Sequence, residues 1–418
     1  MKSNRRILRK YTIIIKTTML ILISGCLTMG CGHRPVNNTQ THVPWDSVPL
    51  IQEQKGYSIP PTLVTIDLTK DYPTLNLKIE IKEKMYVPLE TTPEILLDKD
   101  RRVMYLSEKY CVIINRQRGD VFIFNLEGKC VGNFNHRGPG PIDYRNISDI
   151  VVDEKTEEVF ILTYRRDILV YTFNGKYQRK FDWPPDTRIG KIFNFNDTAL
   201  LVSGEQAYLN EKSLLTKTPF ILLSKKTGEV IGSLNIRPER IALFAGELRT
   251  TTPNMLKNGK DIYLSDISSD TLYHIEQDGK LEPFLVRTPS VFDKKKQIFF
   301  QAKEKFGSYL TLEKTVNEIV PNAPQEQMFK VEYYVLNLET GEIFKLGIFK
   351  FSSNSEDTIS IGIDVFPIDI VANTIVALID ADELIDGLKN GDVKSVGLKK
   401  IVSALQEEDN PVLLIEKF

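Results

Sequence analysis

Histidine and cysteine are scarce in this sequence, which contains only four of each among its 418 residues. The signatures HExxH, paired CxxC and GxSxG do not occur, so the usual motifs of zinc proteases, zinc ribbons and α/β-hydrolases are absent. A Ser-His-Asp triad needs an oriented histidine. His33 and His42 fall in a polar N-terminal segment, and only His136 stands on a predicted loop. His274 occupies an apolar column of a repeat, so we expect a core histidine bonded to a neighbour.

The body of the chain contains only two cysteines, Cys111 and Cys130. Two cysteines do not make a disulfide framework. The repeats described below place them on strands that are not adjacent. We therefore expect two buried free thiols.

Long hydrophobic runs are also lacking. The most apolar stretch, Ile13–Ile23, is interrupted by Lys16 and follows a cationic start, which is typical of an export signal and too short for a good membrane span. It ends in ISGC, which resembles the bacterial lipoprotein box, and Cys26 would then receive the lipid. An ordinary signal peptide with an incidental cysteine is the alternative, and Cys31 in TMGC is a weaker acceptor.

Three segments follow from this interpretation: a signal peptide (1–25), a tether (26–56) and a domain (57–418). The tether is polar, dotted with prolines and without period, although it could instead pack on the domain through Trp45. Removal of residues 1–25 leaves 48 Lys and Arg against 55 Asp and Glu, a balance of about −7. An acidic exported domain is a poor candidate for nucleic acid.

A repeat runs through the domain, with an apolar run, a turn centred on glycine and a second short run. The aligned units are DVFIFNLEGKCVGNF (120–134), DILVYTFNGKYQRKF (167–181), FILLSKKTGEVIGSL (220–234), TLYHIEQDGKLEPFL (271–285) and YYVLNLETGEIFKLG (333–347). Glycine is ninth in each unit, at a position where a tight hairpin needs positive backbone angles. The first strand of most units is apolar at successive positions, which indicates burial on both faces.

The repeat glycines are spaced by 47, 53, 51 and 62 residues, the length of one four-stranded propeller blade. We predict an all-β, six-bladed β-propeller of antiparallel blades, with seven blades as the second choice. Residues 380–390 and 394–408 are predicted to form a short helical insertion in the last blade, with Val396, Ile401, Val402 and Leu405 as its apolar stripe. Residues 62–68 and 78–90 are predicted to complete that blade and close the ring.

The stretch NHRGPGPIDY (135–144) lies between the first two repeats. A phosphate loop requires a helix after it, but a strand is predicted here, so a rigid corner between blades is the favoured interpretation. Loops of a propeller meet at the mouth of its channel, where His136, Arg137, Tyr144 and Arg145 form a candidate ligand-binding group. The alternative, which we favour, is that they brace the junction.

The VPLETT stretch (87–92), RGPGPIDY, the repeats and the closing DNPVLLIEKF resemble the six-bladed β-propeller lipoproteins of Bacteroidetes, which are related to NHL-type repeats. In that family a G-x-G-P-G-E-[YF] motif joins the first two blades. Here His136 stands where the first glycine would be, and Asp143 lies two places beyond the expected acid. The resemblance implies a fold and an envelope location without a defined activity.

The leading hypothesis is a lipid-anchored envelope propeller that binds a protein, glycan or peptide without catalysis. The alternative is a metal-dependent hydrolase or lyase acting at the central channel, since propellers resembling gluconolactonases hold calcium with axial acids and asparagines. Asp149, Asp153 and Asp266 could be such acids, but residues 380–391 fail as an EF-hand, and no cofactor is predicted.

No acidic residues follow Cys26 directly, which favours the periplasmic face of the outer membrane. A third hypothesis is a scaffold subunit of a membrane complex, docked through the helical insertion.

Overall fold

Six sheets are arranged around one axis, as the burial of apolar side chains shows. The computed structural model describes residues 50–51, 63–164, 167–182, 189–204, 218–236, 242–243, 248–249, 253–293, 297–319, 329–353, 369–370 and 372–418. Each sheet shares a cluster of buried apolar side chains with the sheet before it and another with the sheet after it. The last sheet shares one with the first, so the ring is closed. The fold is a six-bladed β-propeller of four-stranded antiparallel blades.

The strands follow the blades in chain order. Four strands precede blade one: β1 (Leu50–Ile51), β2 (Val64–Asp67), β3 (Thr74–Ile81) and β4 (Glu83–Pro88). Blade one contains β5 (Arg101–Leu106), β6 (Tyr110–Asn115), β7 (Asp120–Asn125) and β8 (Cys130–Asn135). Blade two contains β9 (Ile147–Asp153), β10 (Glu158–Thr163), β11 (Ile168–Thr172) and β12 (Tyr177–Phe181). Blade three contains β13 (Ile189–Asn194), β14 (Ala199–Gly204), β15 (Phe220–Ser224) and β16 (Val230–Leu234).

A small two-stranded sheet, β17 (Ala242–Leu243) with β18 (Leu248–Arg249), follows blade three. Blade four contains β19 (Pro253–Asn258), β20 (Asp261–Asp266), β21 (Thr271–Ile275) and β22 (Leu281–Thr288). Blade five contains β23 (Ile298–Phe306), β24 (Tyr309–Ile319), β25 (Phe329–Asn337) and β26 (Ile343–Ser353). The short β27 (Asp369–Ile370) pairs in parallel with β5. The described part of blade six contains β28 (Thr374–Ile379), β29 (Val412–Lys417) and β4.

In blades one to five, the first strand lies nearest the axis, because first strands of neighbouring blades contact one another, as β5 does with β9 and β9 with β13. The predicted hairpins are the third and fourth strands of blades one to five, and every repeat glycine has a positive φ, from 73° to 95°. Burial on both faces of the third strand is confirmed. In β7, Phe122 and Phe124 pack towards blade six, whereas Val121 and Ile123 pack towards blade two.

The N-terminal strands divide the predicted closing role between them. β4 is the outer strand of blade six and pairs with β29 from Val412↔Pro88 to Lys417↔Glu83, so residues 83–88 close the ring as predicted. The expectation for residues 62–68 was wrong, because β2 pairs in parallel with β22, the outer strand of blade four. It was also wrong for residues 78–81, because they belong to β3, which pairs in parallel with β26 of blade five. β1 pairs in the same way with β16 of blade three. The outer strand of a blade is an open edge with unpaired backbone groups, which an added strand satisfies.

The helical insertion joins β28 to β29 in blade six, as predicted. It contains α1 (Ala381–Lys389) and α2 (Val396–Val402), which bury Leu384, Leu398 and Val402 against β28 and β29. The predicted stripe was wrong at Val396, which is 85% exposed. Ser395 caps the start of α2 by accepting a hydrogen bond from the Leu398 amide. Because α2 begins at Val396, Leu398 and Val402 lie one turn apart on the buried side of the helix.

Candidate ligand-binding face

The two faces of the ring differ in the length of their connections. Because the strands of a blade alternate in direction, turns between first and second strands share one face with turns between third and fourth strands. These connections are short, and we call this the short-turn face. The remaining connections begin and end at strand ends on the opposite face, which we call the long-loop face. Those that the structure describes in full include residues 89–100, 136–146 and 380–411.

The 136–146 connection is a corner between β8 and β9, as the sequence indicated. Its glycines sit against Asp143, whose Oδ2 accepts a hydrogen bond from the Gly140 amide at 2.9 Å. A Cβ atom at Gly138 or Gly140 would lie 2.3 or 2.7 Å from that oxygen, so any larger residue would collide with the carboxylate. A carboxylate of the chain itself thus occupies the Gly140 amide that a phosphate would use. The strand β9 follows, not a helix.

Tyr144 is the buried centre of this corner, with 1% of its surface exposed. Its hydroxyl donates to the Gly119 carbonyl at 2.7 Å and accepts from the His136 amide at 3.1 Å. Burial raises the pKa of this phenol above its ordinary value. The His136 ring stacks on Tyr171 with centroids 4.8 Å apart, and its Nε2 lies 2.7 Å from the Gly175 carbonyl oxygen. These contacts tie blade one to blade two.

Arg137 and Arg145 are the exposed members of the predicted group. Arg137 donates from its guanidinium to the Gln117 carbonyl, and its amide donates to Asn135 Oδ1 at 2.8 Å. The structure therefore brings His136, Arg137 and Tyr144 together around backbone groups of the junction, in the geometry of a brace. A ligand-binding role for this group stays a prediction, and Arg137 and Arg145 are the members that solvent reaches.

Sequence reasoning missed the neighbours of these arginines. Arg116 and Arg118 lie exposed in the turn between β6 and β7, and Tyr164, 70% exposed, lies in the corresponding turn of blade two. A sequence signal was available. RQRG stands directly before the first repeat and YRR directly before the second, so aligned repeats carry arginine in the same turn.

The three candidate axial carboxylates are engaged by the protein. Asp149 accepts the Ile192 amide at 3.1 Å, and Asp266 accepts both the amide and the hydroxyl of Ser268, at 2.9 and 2.6 Å. Asp153 forms a buried ion pair with Lys225 at 2.7 Å. Among the described residues, no three His, Cys, Asp or Glu side chains form a group that could hold a metal ion.

Two buried charges were not foreseen from the sequence. The Lys225–Asp153 pair joins blade three to blade two, and both side chains are 7% exposed. The Arg287 guanidinium is wholly buried and donates to the carbonyls of Pro289 and Ile298 at the junction of blades four and five. Burial lowers its pKa to about 10, and Asp270 opposes that shift. A lone arginine or lysine in a repeat carries no signal for such burial, because partners such as Asp153 for Lys225 and Ile298 for Arg287 come from a neighbouring blade.

The expectation for His274 is confirmed, and so are free thiols on non-adjacent strands, but only one of the two thiols is buried. His274 is partly buried and bonds to Asp261, with Nε2 3.3 Å from Oδ1. That contact and the nearby Lys305 hold the Asp261 pKa at about 2. Cys111 on β6 is buried and Cys130 on β8 is partly buried, both are free, and β7 separates them.

The family model for a domain of unknown function, DUF4934, matches residues 63–417. The chain belongs to the DUF4934 family. This match covers all six blades and the three N-terminal strands from β2 onward. Among curated proteins none matches the chain.

Solved structures support the fold. A protein from Bacteroides fragilis named "putative exported protein" is 16% identical, covers 82% of this chain and 99% of its own, and has a TM-score of 0.53. A DUF4221 family member from Bacteroides vulgatus is 12% identical over 63% of this chain and 84% of its own, with a TM-score of 0.39. At these identities the first likeness shows the propeller fold alone, and the second carries no argument.

Within the part of the chain that the structure describes, no helix has the length and hydropathy that crossing a membrane requires.

Proposed function

We propose that this DUF4934 protein is a lipid-anchored propeller of the cell envelope that binds a protein, glycan or peptide through its long-loop face without catalysing a reaction. The observation that carries the proposal is the asymmetry of the two faces. Binding residues concentrate on loops that a rigid scaffold positions. Here the long connections begin and end on one face of a ring whose interfaces are packed with apolar side chains.

The anchor and location in this proposal rest on the N-terminal sequence. The cationic start, the apolar stretch and the ISGC box support export with Cys26 as lipid acceptor. The resemblance to NHL-related lipoproteins and the name of the Bacteroides fragilis neighbour agree with an envelope location. The lack of acidic residues directly after Cys26 favours the periplasmic side of the outer membrane.

A metal-dependent hydrolase receives less support, because Asp149, Asp153 and Asp266 already accept hydrogen bonds or an ion pair from the protein. The scaffold hypothesis also requires revision. The helical insertion buries Leu384 and Leu398 over blade six, so its deletion would expose apolar surface of the ring itself. Single substitutions at exposed positions such as Val396 are the better probe of docking by this insertion.

The binding proposal is tested by thermal melts of residues 27–418 with panels of glycans and peptides, with and without EDTA. A ligand at about 100 times its Kd adds roughly 2.7 kcal/mol to the free energy of unfolding, which raises Tm by a few degrees. A rise with one ligand class that EDTA does not change supports the proposal. A fall with EDTA that calcium reverses would support the metal-dependent enzyme instead.

The anchor is tested by substitution of the two N-terminal cysteines in the full chain. We expect Cys26→Ala to move the protein from the membrane fraction to the soluble fraction, whereas Cys31→Ala leaves it with the membrane. Mass spectrometry of the mature N-terminal peptide checks the modification directly. Membrane association of the Cys26→Ala variant would contradict anchoring at this residue.

A further inference from the structure

Exposed arginines concentrate at one place on the long-loop face, the junction of blades one and two. Arg116 and Arg118 project from the turn before β7, and Arg137 and Arg145 from the connection before β9. Together with the exposed Ile142 and Tyr164 we call them the arginine patch. It stands out because the mature chain carries more acidic than basic residues.

The patch lies on three segments: the turn before β7, the connection before β9 and the turn that holds Tyr164. Hydrogen bonds join these segments into one surface. The Arg137 guanidinium donates to the Gln117 carbonyl, between Arg116 and Arg118. The Asn135 amide group donates to the Arg118 carbonyl at 3.0 Å. On the other side, the Tyr164 amide donates to the Asn146 carbonyl at 3.2 Å. The buried Tyr144 fixes the centre of this arrangement, so the side chains extend from a preorganised backbone, which lowers the entropic cost of binding.

The positive charge of the patch is only partly neutralised. Arg118 pairs with Asp120 at 3.0 Å, and Arg116 lies 3.7 Å from Asp100. Within the described residues, Arg137 and Arg145 form no ion pair with a carboxylate. The nearby acid of the same loop, Asp143, is taken by the Gly140 amide. The patch therefore presents guanidinium groups that an anionic partner can engage.

Apolar surface lies among these charges. Ile142 is 39% exposed and Tyr164 is 70% exposed, and both stand on the same connections as the arginines. Arginine and tyrosine are the residues most enriched at the energetic centres of protein interfaces. A guanidinium fork matches a carboxylate with two parallel hydrogen bonds, and Ile142 offers an aliphatic contact that suits an amino-acid side chain better than a hydroxyl-rich sugar.

We propose that the arginine patch docks an acidic protein segment in which carboxylates alternate with apolar side chains. This inference rests on the proposed binding function and names the chemistry of its partner. The carboxylates pair with Arg116, Arg137 and Arg145, and the apolar side chains cover Ile142 and the Tyr164 ring.

The test measures binding of synthetic peptides to the full chain in detergent, by fluorescence anisotropy. The probes are three short peptides that alternate Leu with Glu, Gln or Lys. We expect the Glu peptide to bind, the Gln and Lys peptides to bind at least about tenfold more weakly, and added salt to weaken the Glu complex.

Charge-reversal variants locate the contact. Arg116→Glu combined with Arg145→Glu is expected to weaken the Glu peptide by about tenfold or more, since each exposed pair contributes modestly. The matched control is Lys109→Glu with Lys129→Glu, the same charge change at two exposed turns of blade one on the short-turn face. Equal binding by both double variants, or no binding of the Glu peptide, would overturn the proposal.

Two further probes separate other anionic partners. Polygalacturonate and vesicles of phosphatidylglycerol are measured against the same variants. Patch-dependent binding of either one without binding of the Glu peptide would show that the patch recognises a glycan or a lipid surface, and would overturn the protein-segment assignment. A separate outcome is that a ligand from the melting panels raises the Tm of the Arg116→Glu/Arg145→Glu variant as much as that of the unmodified protein. This result would support the general binding function but would overturn the arginine patch as its site.

Discussion

The repeat glycines allow a tight turn, and some of them also allow close packing between neighbouring blades. At Gly175 the backbone has φ of +80°, and a Cβ atom would lie 2.4 Å from the Phe134 Cβ atom of blade one. Gly128 and Gly228 meet the outer strand of the preceding blade in the same way, at Pro88 and Phe181. In blades one to three the repeat glycine therefore marks where the turn of one blade contacts the blade before it.

Gly175→Ala is expected to lower the free energy of unfolding by about 2–4 kcal/mol, from the strain of a positive φ and from overpacking. The control is Gly391→Ala, which has φ of +79° but no atom within 4 Å of the new Cβ, and should cost only about 1 kcal/mol. Denaturant unfolding of both variants checks the difference. Equal losses in the free energy of unfolding of the two variants would show that Phe134 moves aside without an energetic cost.

Tyr144→Phe tests the brace directly. Removal of the hydroxyl leaves the Gly119 carbonyl and the His136 amide without their buried partner, and we expect a loss of about 1–3 kcal/mol in the free energy of unfolding. Binding of the Glu peptide should change less than about twofold, because the aromatic ring of Tyr144 stays in place and the hydrogen bonds of Arg137, Asn135 and the Tyr164 amide still hold the segments of the patch. Arg145→Ala should show the reverse pattern, with stability unchanged and binding weakened. A stable Tyr144→Phe variant that no longer binds would assign this tyrosine to the ligand instead.

At the scale of elements, one innermost strand carries a carboxyl group whose pKa is shifted by burial. Glu304 lies on β23, the first strand of blade five, and burial raises the pKa of its carboxyl to about 7, with Lys303 and Lys191 opposing the shift. In the unfolded chain this group loses its proton near pH 4.5. Between these two pH values the folded state keeps a proton that the unfolded state has released, so stability falls as pH rises.

Glu304→Gln is expected to remove this pH dependence. The gain in stability of the variant over the unmodified protein should be larger at pH 8 than at pH 5, because at pH 8 only the unmodified protein must bury a charged side chain at this position. Glu318→Gln, at an exposed position on the neighbouring strand β24, is the control and should track the unmodified protein. Thermal melts from pH 4.5 to 8 supply the measurement, and parallel curves for all three proteins would contradict the expectation.

Several elements could be predicted from the sequence because their signals are local. The hairpins of blades one to five follow from an apolar strand and a glycine turn, and the corner at 136–146 follows from its glycines and prolines. The parallel pairing of β2 and β3 could not be predicted, because an alternating strand such as Thr74–Ile81 does not indicate which edge it joins. The brace was foreseen as an alternative, but its bonds to Gly119 and Gly175 come from residues distant in sequence.

At the scale of the whole molecule, the ring depends on strands from opposite ends of the chain. β4 packs Val87 into the interface of blades six and one, beside Leu413 and Ile415 of β29. β2 and β3 instead cover the outer parts of blades four and five, where Ile66 and Ile79 are buried. We expect loss of β4 to open the ring, whereas loss of β2 and β3 should weaken the interfaces of blades four to six but leave each of those blades its fourth strand.

Two truncations separate these roles. A chain beginning at residue 82 lacks β1 to β3, and we expect a lower Tm with one cooperative transition. A chain beginning at residue 89 also lacks β4, and we expect it to give little soluble protein and no cooperative melt, because blade six loses its outer strand. Circular dichroism melts of both chains check this. A cooperative melt of the shorter chain at the same Tm would show that blade six closes the ring without β4.

The sequential seating of β1, β2, β3 and β4 along blades three to six also has a mechanical consequence. A pull applied to the chain ahead of Leu50 does not reach the closing strand directly. It must first detach β1 from blade three, then β2 from blade four, and then β3 from blade five, each held by its own row of backbone hydrogen bonds. The three strands therefore detach one after another under force, and the ring stays closed until β3 has separated from blade five.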